Sequence, residues 1–84
     1  MSYKYMLQRT EGGRGYDEFR AFNTLDEAEE IMDHEIERLS RILGTEPDTA
    51  MGNVIKNLKR VAIWYENTDN EVALFLSKID GTWQ

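Results

Sequence analysis

The sequence predicts a two-layer α+β domain, an antiparallel sheet of about four strands with two helices packed on one face. Three observations predict it. Alternating or β-branched and aromatic runs occupy both ends of the chain, at 2–9, 16–22, 61–66 and 72–79. Two amphipathic helical patterns lie between them. The order along the chain is therefore β-β-α-α-β-β, and such a sheet buries a face by receiving the helices on it. With 84 residues, 1–84 form one domain, since so short a chain builds a single core.

In the first strand Tyr3, Tyr5 and Leu7 alternate with Lys4, Met6 and Gln8. Thr10 to Gly15 is a turn, because its glycines reach positive φ without steric cost. Residues 16–22 resume a strand rich in aromatics and complete a hairpin. The first helix starts at Thr24, whose side chain and that of Glu27 form a capping box. Leu25, Ala28, Met32, Ile36, Leu39 and Leu43 form its apolar stripe, widened by Ile31 and Ile42. Gly44 caps its C-terminus. A second helix is expected over 46–59, capped by Thr45, with Pro47 in its first turn and Met51, Val54, Ile55 and Leu58 as its stripe. The final hairpin joins 61–66 to 72–79 through a polar turn.

Composition bounds the chemistry. Without cysteine there is no disulfide and no thiolate metal site, which favours a reducing, cytoplasmic setting. The N-terminus lacks the apolar run of a signal peptide, and no stretch approaches the ~20 apolar residues of a membrane span. A net charge of −6 opposes direct nucleic-acid or anionic-membrane binding and attracts a basic protein.

No catalytic constellation emerges, and the chain reads as non-enzymatic. The sole histidine, His34, falls off the apolar stripe, and Arg38 stands where a zinc-protease motif needs its second histidine. Glu30, Asp33, His34 and Glu37 neighbour one another at helical spacing, but a straight helix face supplies too few convergent ligands for a metal. Gly12 to Gly15 matches neither a P-loop nor a dinucleotide fingerprint. No cofactor is expected.

Two surfaces stand out instead. Helix one carries seven acids between Asp26 and Glu37 and no Lys or Arg among them. Asp26, Glu29, Glu30, Asp33 and Glu37 are its candidate interaction residues, an electrostatic face for a basic partner. In the last hairpin both faces are apolar, so one would remain uncovered by the helices. Trp64 and Phe75, with Met6 and Phe19, are the candidate sheet-face residues, unless a tail carrying Trp83 folds over them. Self-association as a homodimer is the expected use of that face. Lys56, Lys59 and Arg60 serve the end of helix two.

In size, acidity and mixed α+β content the chain is similar to small phage- or mobile-element proteins, anti-CRISPR proteins among them; composition carries that similarity. The leading expectation is a protein–protein interaction module, in one form an inhibitor of a nucleic-acid-binding protein. The alternative is a homodimeric small-ligand-binding protein with its pocket where two sheets meet.

Overall fold

A computed structural model of the chain describes residues 3–12, 16–49, 57–65 and 71–79. Strand β1 (Tyr5–Glu11) is followed by β2 (Tyr16–Phe22), helix α1 (Leu25–Leu43), β3 (Leu58–Tyr65) and β4 (Glu71–Lys78). All pairings are antiparallel, and the strand order is β2-β1-β4-β3. Among the described residues no helix is long and apolar enough to cross a membrane.

The helix forms where its caps and stripe place it. Thr24 Oγ1 accepts a hydrogen bond from the Glu27 backbone N–H at 3.2 Å. Gly44 ends the helix in the left-handed region (φ 70°), and its N–H donates to the Ser40 carbonyl at 2.9 Å. Ala28, Met32 and Leu39 are buried against the sheet, with Leu25, Ile31, Ile36 and Leu43 packed around them. Ile42 does not join the stripe. It points to solvent, 64% exposed, on the far margin of the apolar arc.

The sheet offers Leu7, Ala62, Trp64, Val72, Leu74 and Leu76 to this helix. Each valine or leucine among them contributes roughly 1.5–3 kcal/mol on burial. Trp64 is the largest of them and is 1% exposed. Its indole N–H is satisfied inside the core, donating to the Thr45 carbonyl (3.1 Å) and the Ser40 hydroxyl (3.3 Å). The tryptophan thereby ties β3 to the C-terminal end of α1.

The structure has a β-β-α-β-β order, and the expected second helix over 46–59 is not present among the described residues. Within this span Asp48 forms an isolated antiparallel bridge to β3. The Asp48 N–H and carbonyl exchange bonds of 2.8 and 2.9 Å with the Ile63 carbonyl and N–H. At the other end Asn57 adopts a positive φ of 67°, and Leu58 and Lys59 already belong to β3. Two local effects work against the helix. Proline disfavours the helical region for the residue before it, here Glu46. Asn57 is among the few non-glycine residues that tolerate the left-handed region, which interrupts a helix. Residues 50–56, including Met51, Val54, Ile55 and Lys56 of the expected stripe and basic cluster, lie outside the described residues.

Candidate functional site

The pairing register sorts the sheet into two faces. Trp64 stands opposite Val72, Ala62 opposite Leu74, and Leu76 opposite Leu7. These face the helix. Phe75 stands opposite Val61 on one side and Gln8 on the other, and Gln8 opposite Phe19. Met6, Phe19 and Phe75 therefore share the face turned away from α1. Trp64 is not with them, and its expected place on that surface is corrected to the helix side of the core.

The distal face is uneven. Val61 and Ala73 are buried there, and Phe75, Ile63 and Met6 are half-buried. Its exposed aromatic groups are Tyr65 (61%) at one edge strand and Phe19 (52%) at the other. Trp83, the expected cover, lies outside the described residues.

On the helix, Asp26, Glu30, Asp33 and Glu37 recur at intervals of four, three and four. Successive turns align them in one exposed stripe along the solvent side. Glu29 flanks this stripe, half-buried on the side nearer the sheet. His34 is exposed beside it. Among the described residues no three His, Cys, Asp or Glu side chains gather as a metal site.

Arginines neutralise the stripe at one end. Arg60, reaching across from β3, donates to Asp33 at 2.8 Å, and Arg41 donates to Glu37 at 2.8 Å. Glu35 turns towards the sheet, where Arg38 (2.7 Å) and Arg9 (3.8 Å) meet it. Arg9 also lies near Glu11 and Glu18, and Glu18 contacts Arg20 at 3.1 Å. The hydrogen bond and charge of Glu35 raise the Arg38 guanidinium above its ordinary range, with smaller contributions from Glu18 and Glu11. Each arginine among the described residues thus meets carboxylates of the sheet or of the helix from Asp33 onward. None reaches Asp26, Glu27, Glu29 or Glu30.

Beside a groove of about 350 Å³ lined by Thr49, Lys59, Arg60 and Val61, two further concavities among the described residues adjoin these charges. One, between Leu7, Arg9, Glu18, Arg20, Glu35 and Leu74, holds about 10 Å³, room for a single water and no organic ligand. The other is a broad groove of about 440 Å³ along the helix flank. Asp33, Glu37 and Glu46 line it with Ile36, Ser40 and Arg41, so acids outnumber bases around an apolar side chain.

Sequence reasoning missed the Arg9 cluster and the Arg60–Asp33 bridge. The first had a signal: continuing the inward alternation of β1 past Leu7 puts Arg9 and Glu11 on the helix side. The second needed the register of β3, which no local pattern carries. No protein-family model, curated protein or solved structure matches the chain.

Proposed function

We propose that this chain is a non-enzymatic interaction module that docks the acidic side of α1 onto a basic protein surface. The carrying observation is the distribution of counter-charge. Among the described residues Asp26, Glu27, Glu29 and Glu30 have no cationic partner, while the arginines gather elsewhere. The helix macrodipole accounts for Asp26 and Glu27, which lie in its first turn. It fades beyond that turn and does not account for Glu29 and Glu30.

The adjoining groove suits the same reading. A guanidinium or ammonium group would meet Glu46, the groove acid that no arginine bridges among the described residues, and its aliphatic stem would lie along Ile36. A target whose basic groove normally holds phosphates would accept carboxylates in their place, which is the inhibitor form of this function.

Binding to an immobilised arginine-rich peptide tests the reading, with folding checked by circular dichroism. Binding should saturate and weaken steeply as salt rises. Replacing Glu29 and Glu30 by lysine should weaken it about tenfold or more. The same change in net charge made at Asp48 and Glu71, both exposed and off the stripe and off β2, should have much less effect. Equal losses from the two pairs would show attraction by net charge only and remove the helix as a docking face.

A further inference from the structure

The two edges of the sheet differ. The outer side of β3 is occupied at Ile63, where Asp48 takes both the N–H and the carbonyl, and its pairing with β4 slips between Leu58 and Arg60. The outer side of β2 pairs with nothing among the described residues. Neither proline nor bulge interrupts β2, whose register with β1 runs unbroken from Tyr16 to Phe22. Such an edge is a template for another strand.

The side chains of β2 suggest which strand. Pairing β2 antiparallel with a second copy places the two-fold axis on a residue, because cross-strand partners must share a face. With the axis at Phe19, Glu18 falls opposite Arg20 of the second copy and Arg20 opposite its Glu18. Asp17 falls opposite Ala21, and the two Phe19 rings meet at the centre.

Glu18 and Arg20 already touch within one strand at 3.1 Å, so the four charges would alternate in sign around a square. Moving the axis to Glu18 sets Glu18 against itself, to Arg20 sets arginine against arginine, and to Asp17 sets Asp17 against itself. The Phe19 register brings complementary charges together over the greatest overlap.

We infer that this protein forms a two-fold dimer through antiparallel β2–β2 pairing centred on Phe19. The occupant is a second copy of the same chain, selected by the self-complementary order Asp17-Glu18-Phe19-Arg20-Ala21. Phe19, 52% exposed in the separate chain, becomes the centre of the contact. The axis stands perpendicular to the sheet, so both helices lie on one face of a sheet of doubled width. The inference does not depend on the acidic-helix reading, since the contact leaves Asp26, Glu29 and Glu30 outside it.

Sedimentation equilibrium of the full chain, from low to several hundred micromolar, tests the inference. The native protein should pass from monomer to dimer. Arg20→Glu should weaken the dimer about tenfold or more, as each Glu18 then faces a glutamate. Glu18→Arg should do the same by facing arginine with arginine. An equimolar mixture of the two variants restores both opposite-charge pairs and should dimerise again.

Glu18 also neighbours Arg9, so Phe19→Asp, at an exposed position, supplies a second probe that spares the core. A native chain that stays monomeric throughout would overturn the inference. So would a dimer indifferent to Arg20→Glu and Phe19→Asp, or variants that dissociate but fail to recombine on mixing.

Discussion

Trp64→Ala is expected to cost about 3–5 kcal/mol of folding stability, the range for emptying a large aromatic site in a core. For a domain whose whole stability is of order 5–15 kcal/mol, this variant stands at the edge of unfolding. The cost has two sources. The indole occupies the junction of β3, β4 and the C-terminal end of α1, at 1% exposure. Its N–H also donates to the Thr45 carbonyl and the Ser40 hydroxyl, and the loss of such a hydrogen bond costs about 0.5–1.5 kcal/mol. Trp64→Phe separates the two, keeping most of the apolar contact and losing the donor, and should fall between native and alanine. Urea denaturation followed by circular dichroism reads all three. An alanine variant with an unchanged midpoint would contradict the burial of the indole.

The second large effect concerns Leu74. It is fully buried on the helix-facing side of β4, opposite Arg9 on one neighbour and Ala62 on the other. Leu74→Ala should cost about 2–5 kcal/mol. At roughly 4–8 °C of melting temperature per kcal/mol for a domain of this size, the loss is large by calorimetry. Ile42→Ala removes a comparable amount of hydrocarbon but should change stability by less than about 0.5 kcal/mol, because Ile42 is 64% exposed. Similar losses at the two positions would mean that α1 meets the sheet with a different face.

The contrast between Leu74 and Ile42 shows what was legible in the sequence. Helix α1 was, because caps and periodicity are local, and Thr24, Gly44 and the Ala28–Met32–Leu39 stripe act where they stand. Ile42 was misassigned because a stripe has no sharp margin until its partner surface exists. The strands were legible within a few residues, but the face to which Trp64 belongs was not. In a strand apolar on both sides, neighbouring side chains are told apart only by the register across the hairpin. A change of one residue in that register exchanges the faces. Trp64 pairs with Val72, whereas an assignment of Trp64 to the face of Phe75 requires the opposite parity.

The segment after Gly44 misled for a related reason. Met51, Val54, Ile55 and Leu58 follow helical spacing, but Leu58 serves a strand, Pro47 precedes the pattern, and Asn57 falls within it at a positive φ. Of the candidate site, the acidic stripe could be read directly, since a helix converts spacing into alignment. Its partial neutralisation by Arg60 could not, because Asp33 and Arg60 meet only when α1 lies across the sheet.

The strand order also carries a kinetic consequence. The centre of the sheet is the seam between β1 and β4, where Tyr5 is paired with Lys78, almost the full described length apart. Each hairpin can close over a short connection, but the seam must close nearly the whole chain before its contacts repay the lost entropy. Folding therefore has a long-range step, and the chain should refold more slowly than a helical bundle of equal length, as stopped-flow kinetics would show. Until Leu7 meets Leu76, each hairpin exposes an edge that belongs in the interior. Joining of the two halves removes both edges from reach of a wrong strand.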